Sequence, residues 1–213
     1  MVKLSFTCCL ILFFISGFVH AQIETELDSI TSDAQATNFI EHHKSVRGQL
    51  ITFNKEKHHS KLSTDLFDLG VGGKRVYETE MDKTYYKLID KNQVLHHRVS
   101  YILLDGNKKT LQEISKLRSD IIYKYRQGIP FENLAKRYSM DINGRRGGDT
   151  GWFAHGEMIP EFEEQAVNNH HSVGDIFTVD VPSRKWYYVV LKTYDKEMID
   201  EIKVLKLVEP ISR

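Results

Sequence analysis

Gly147-Gly148-Asp149-Thr150-Gly151-Trp152-Phe153, followed by Gly156-Glu157-Met158-Ile159-Pro160-Glu161-Phe162, decides how the rest of this chain is read. Three glycines and two large aromatics lie within seven residues, and Met158 and Phe162 follow on what reads as a helix start. Glycine reaches backbone angles that other residues resist. A segment of this composition can bend tightly around an apolar hollow.

Working outward, Val99-Ser100-Tyr101-Ile102-Leu103-Leu104 is nearly continuous in apolar character and predicts a buried central strand. Asp105-Gly106-Asn107 is a turn. Thr110-Leu111-Gln112-Glu113 has the capping-box pattern that satisfies exposed helix N–H groups. Leu111, Ile114, Leu117, Ile121, Ile122 and Tyr125 then form one face of a long helix that ends at Gly128. A second helix starts near Pro130 and a third at Pro160, and strands follow over 175–181 and 186–193. Upstream, the pattern predicts a helix over 34–44, a strand at 50–53, a helix carrying Leu62, Leu66 and Leu69, and a strand at 85–89. Residues 202–207 could form one more strand.

The chain has 213 residues, 41% hydrophobic and 27% charged, with a net charge of zero when His is neutral. That is a globular composition, without the basic excess of a nucleic-acid binder. Residues 1–21 differ: Lys3, then an apolar run to Val19, then His20-Ala21. This is the layout of a secretory signal peptide cleaved after Ala21, and it predicts an exported protein, periplasmic or extracellular. Cys8 and Cys9 both fall inside it, so the mature chain would have no disulfide and no thiol nucleophile. No later stretch is apolar and long enough to span a bilayer, so no stable membrane insertion is expected after cleavage. The organisation predicted is a signal peptide at 1–21, an N-terminal α+β region at 22–95, a domain with the glycine-rich signature at 96–195, and an extension at 196–213.

The signature resembles that of the parvulin family of peptidyl-prolyl cis/trans isomerases. The resemblance covers residues 96–195 and implies an α+β fold: a small twisted sheet, antiparallel or mixed, surrounded by helices. It also implies an X-Pro substrate within unfolded or partly folded polypeptides, with no cofactor and no metal. Such an enzyme lowers a barrier of ~18–20 kcal/mol to amide rotation, and no bond is broken. It needs an apolar socket for the pyrrolidine ring and a polar surround for the twisted amide. Matched residue by residue, the resemblance puts Met158, Phe162 and Thr150 at the proline pocket and Phe153 at its floor. Asp141 falls where family members hold Cys or Asp. Two positions depart from the pattern: Tyr101 in Ser100-Tyr101-Ile102-Leu103 and Tyr188 in Trp186-Tyr187-Tyr188-Val189-Val190 stand where the family has histidines. The expectation is that both hydroxyls are directed at Asp141 in a neutral, donor-rich network.

Asp149 reads as a turn residue bonded to backbone or to Arg145 and Arg146. Histidine pairs at 42–43, 58–59, 96–97 and 170–171 invite a metal, but adjacent side chains diverge on a strand or a helix. Lys108 and Lys109 read as a solvated helix start rather than a phosphate reader. Replacement of both histidines leaves room for a proline-peptide-binding chaperone with weak or no catalysis, or for a structural envelope protein that uses the fold for docking.

Overall fold

The structure, a computed structural model, describes residues 23–168 and 170–211, and the signal peptide expected at 1–21 lies outside them. In chain order, α1 is helical over residues 23–29, followed by α2 (Asp33–His42), β1 (Arg47–Asn54), α3 (Lys61–Phe67), β2 (Lys74–Glu78) and β3 (Asp82–His97). Then come β4 (Val99–Asp105), α4 (Leu111–Arg126), α5 (Phe131–Tyr138), a 3-10 turn (Ile142–Arg146), β5 (Phe153–Ala154), α6 (Pro160–Ala166), β6 (Ile176–Val181), β7 (Trp186–Lys192) and β8 (Glu197–Pro210). These elements form two compact units, one of residues 94–199 and one of residues 23–93 with 200–211.

In the N-terminal unit the strands are ordered β1-β8-β3-β2. β1 and β8 run antiparallel from Arg47 opposite Val208 to Asn54 opposite Glu201. Residues read as part of a C-terminal extension therefore build the N-terminal sheet. Side chains alternate faces along a strand. Tyr85 and Ile89 of β3 pack with Leu27, Ala36 and Phe39 in one cluster, whereas Tyr86 and Leu88 pack with Phe53 and Leu66 in another. Both faces of β3 are thus covered, which explains the nearly continuous apolar run from Tyr85 to Ile89. Lys87 interrupts that run yet is only 2% exposed. Its Nζ donates to the carbonyls of Leu27 (2.6 Å) and Asp28 (2.9 Å), satisfying groups that the end of α1 leaves open. Lys83–Glu24 (3.0 Å) and Lys74–Asp28 (2.5 Å) ion pairs add to that attachment.

The 94–199 unit holds a three-stranded antiparallel sheet in the order β4-β7-β6. Its central strand is β7, not the Val99–Leu104 segment expected there. β4 lies at the edge, but loops satisfy its backbone. Tyr101 N–H donates to Gly148 O (2.9 Å), Thr150 N–H to Val99 O (3.0 Å), and Met140 N–H to Leu103 O (2.8 Å). Leu103 N–H donates to Ser139 Oγ (3.0 Å). An edge strand closed in this way can be as apolar as an interior one. One face of the sheet packs Ile102, Leu104 and Val189 on Ile114 and Ile121 of α4 and Leu134 of α5. The other packs Val99, Leu103 and Val190 with Phe153, Phe162 and Ala166. The Thr110–Glu113 capping box is present, with both reciprocal hydrogen bonds made.

Gly148 is indispensable to the closed edge. It has φ +83, and a Cβ there would sit 2.3 Å from Tyr101 O. Gly148→Ala is therefore expected to lower stability by more than about 1 kcal/mol, read as a drop in the urea midpoint. Gly70→Ala is the control, because a methyl there meets nothing within 4 Å and the backbone does not have positive φ. Equal stability of the Gly148→Ala and wild-type proteins would refute this account of the turn.

Candidate active site

The β4–β7 register places Tyr101 opposite Val190 and Leu103 opposite Tyr188. Side chains at alternate positions share a face, so both tyrosines rise from the side of the sheet that packs on α6. Tyr101 and Tyr188 meet edge to face, with centroids 5.4 Å apart and planes at 87°. Phe162 completes a three-ring cluster, 5.6 Å from Tyr101 and 4.8 Å from Tyr188. Such offset contacts suit the ring quadrupoles.

Asp141 precedes the 3-10 turn as its N-cap. Its Oδ1 accepts from Ser139 Oγ (2.7 Å) and from Gly144 N–H (3.3 Å), and its Oδ2 accepts from Tyr101 Oη (2.8 Å). The carboxylate is thus aimed by three donors from separate local structures. No hydrogen bond joins Tyr188 to Asp141 among the described residues. Nor is the Tyr188 hydroxyl sealed off, because the buried polar side-chain atom without a partner among those residues is Arg118 Nε. The Tyr188 hydroxyl instead opens onto a cavity.

That cavity has a volume of about 230 Å³. Its wall includes five residues singled out from sequence: Tyr101, Asp141, Met158, Phe162 and Tyr188. Leu103, Ile159 and Trp186 also line it and were not anticipated. Leu103 shares a face with Tyr101 by simple alternation, which is a signal the sequence does carry. Ile159 precedes the first residue of α6, and Trp186 opens β7.

Thr150 and Phe153 do not line the cavity. Thr150 Oγ1 is within hydrogen-bonding distance of Val99 O (2.9 Å) and Gly151 O (2.8 Å), and it accepts from Val99 N–H (3.2 Å). Its hydroxyl therefore serves the turn against β4. Phe153 is 2% exposed and belongs to the apolar cluster that contains Phe162 and Tyr188. Asp149 takes Arg98 as its partner rather than Arg145 or Arg146, in a two-pronged pair (Nε–Oδ1 3.0 Å, Nη2–Oδ2 2.6 Å). Burial pushes its carboxyl up, but Arg98 and the Gly151 N–H bring it below the ordinary Asp value.

Burial raises both tyrosine hydroxyls. The Tyr188 phenol is pushed up to about 12, first by burial and then by the Asp141 charge, with Arg184 opposing. Tyr101 is raised further by burial and by its hydrogen bond to Asp141. Both are neutral donors throughout the physiological range. The site therefore combines an apolar hollow, a carboxylate and one uncommitted hydroxyl.

Residues 84–197 match the family profile described as the PPIC-type PPIASE domain. The chain is 29% identical over 186 residues to the foldase protein PrsA of Geobacillus sp., covering 86% of this chain and 63% of that protein. It is 31% identical over 100 residues to the chaperone SurA of Chromobacterium violaceum, covering 44% and 23% respectively. The crystal structure of PrsA from Bacillus subtilis aligns at 30% identity with a TM-score of 0.39, covering 48% of this chain and 36% of that one. The chain spans less than two thirds of the length of these relatives.

The two raised phenols have a measurable consequence. Each holds its proton more tightly in the folded protein than in the unfolded chain, where the value is near 10. Their contribution to stability is therefore intact below pH ~10 and lost as pH climbs toward 12. Burial raises the Tyr85 phenol as well, so ultraviolet titration of tyrosinate should show three late-ionising phenols, one lost in Tyr101→Phe and one in Tyr188→Phe. Ionisation of either with the exposed tyrosines near pH ~10 would contradict the burial assigned to it.

Proposed function

We propose, since the chain belongs to the PPIC-type peptidyl-prolyl isomerase (parvulin) family, that its 94–199 unit rotates X-Pro bonds in unfolded or partly folded polypeptides. The observation that carries this reading is the 230 Å³ cavity in which Met158 and Phe162 face the hydrogen-bonded Tyr101–Asp141 pair. A pyrrolidine ring fits the apolar wall of Met158, Ile159, Phe162 and Leu103. The rotating amide then lies toward Tyr101, Asp141 and Tyr188. Twisting removes amide resonance and localises charge on the carbonyl oxygen and the nitrogen. Preorganised donors at that position stabilise the twisted state more than the planar one, which is what accelerates rotation.

The two tyrosines divide the work unequally. Tyr101 is committed to Asp141, so its hydroxyl orients the carboxylate. Tyr188 has an uncommitted hydroxyl and is the donor available to a substrate carbonyl. Thr150 and Phe153 act indirectly, by shaping the turn and the layer beneath the pocket. The protein is proposed to be exported by its first 21 residues and to serve clients outside the cytoplasm, with no cofactor. No helix among the described residues is long and apolar enough to cross a membrane. The commitment of the Tyr101 hydroxyl to Asp141 also favours a second reading, in which the pocket holds proline without turning it and the protein acts as a binding chaperone.

A coupled assay on an Ala-Pro peptide separates the two readings. The isomerase reading expects faster cis/trans exchange. It also expects about a tenfold loss of kcat/KM in Tyr188→Phe, the worth of one hydrogen bond to a developing charge. Met158→Trp should abolish both binding and turnover. Because both phenols stay protonated, the tyrosines add no inflection between pH ~5 and ~8, the range where a histidine site would titrate. Peptide binding without acceleration would retire the isomerase in favour of the chaperone.

A further inference from the structure

We propose that Glu163 is a positioning residue for the proline pocket, acting through the turn that presents Met158; this rests on the reading of that cavity as the substrate site. Glu163 lies in α6 between the buried Phe162 and Ala166, and its side chain is 5% exposed. A carboxylate in such apolar surroundings is costly unless its lone pairs are satisfied. Every acceptor contact it makes is directed at one short segment. Gly156 N–H donates to both oxygens (3.1 and 3.0 Å), Met158 N–H donates to Oε2 (3.3 Å), and His155 Nδ1 lies 2.5 Å from Oε1.

These donors converge because the turn is wound around the carboxylate. Gly156 has φ +86, a conformation that side-chain-bearing residues resist. Glu157 closes the same turn by accepting from Ala154 N–H (2.9 Å). The helix that follows has Ile159 as N-cap, with no side-chain hydrogen bond of its own. The buried carboxylate therefore holds the approach to the helix from inside. Met158 gains most from this, because its side chain is flexible and cannot define its own place. Fixing its backbone N–H fixes where the thioether enters the cavity. The His155 side chain is 99% exposed, so the two backbone donors carry the effect.

Glu163→Gln in the full chain keeps the shape but exchanges an acceptor oxygen for a donor that opposes the turn amides. The dissociation constant for an Ala-Pro peptide, read from Trp fluorescence, should rise about tenfold, with a smaller change in kcat. Hydrogen exchange at the Gly156 and Met158 amides should quicken. In a Met158→Ala background the Glu163→Gln effect on the dissociation constant should shrink toward onefold, because the two residues act through one contact. A purely structural role would lower the folded fraction without moving the dissociation constant. An equal effect in both backgrounds, or unchanged exchange at the two amides, overturns the proposal. If Glu163→Gln does not fold, Gly156→Ala strains the same turn without entering the core, and the same comparison with Met158→Ala decides. If the wild-type protein binds no Ala-Pro peptide, the reading of the pocket fails, while the amide exchange of Glu163→Gln still tests the positioning role.

Discussion

The backbone of Gly148 lies against the backbone of Tyr101, and the organisation of the site follows from that approach. The hydrogen bond from Tyr101 N–H to Gly148 O, and the one from Thr150 N–H to Val99 O, let a loop take the place of a neighbouring strand. A side chain at position 148 would push the loop away and expose the edge of an apolar strand. With the edge closed, β4 can bury both faces, one on α4 and α5 and the other under α6. The loop that closes it also carries the chain toward Met158, so the socket is tied to the strand that bears Tyr101.

The polar part of the site depends on a division between satisfied and open groups. Asp141 has three donors and is held in place. Tyr101 donates a hydrogen bond to that carboxylate and packs against two aromatic rings. Tyr188 packs in the same cluster but keeps its hydroxyl free. Histidines at these two positions would exchange charge with solvent near neutral pH, whereas buried phenols stay neutral donors. With tyrosine at both positions the site holds neutral donors across the physiological range.

The fold of the 94–199 unit was legible because its signals are local: a capping box, helix-period faces and a glycine-rich turn. Met158, Phe162 and Asp141 were legible through family spacing, and the structure gathers them with both tyrosines around one cavity. The position of β4 was misjudged because an apolar run reports burial, not the number of neighbouring strands. Here loop amides and a serine hydroxyl supply the second edge. Thr150 was misplaced because spacing along a turn does not reveal that a hydroxyl folds back onto its own backbone. β2 went unread because four of its five residues are exposed and it carries Lys74 and Arg75. α1 went unread because its apolar residues Ile23 and Leu27 stand close behind the apolar run that ends at Val19. Glu163 stands beside a second acid, Glu164, and nothing in its neighbours along the chain marks it as buried.

The pairing of β1 with β8 joins residues from opposite ends of the chain, as in Arg47 opposite Val208. Everything from 94 to 199 is inserted between the two parts of the N-terminal unit. A ribosome delivers the chain from its N-terminus, so β1 and β3 emerge long before the strand that lies between them. The inserted unit has all its strands in hand first and can fold while its host is incomplete. Until then the backbone edges of β1 and β3 that β8 will join stay unpaired. Contacts this distant in sequence slow folding, so the N-terminal unit would be the slow step of maturation and the part most exposed to aggregation on the way.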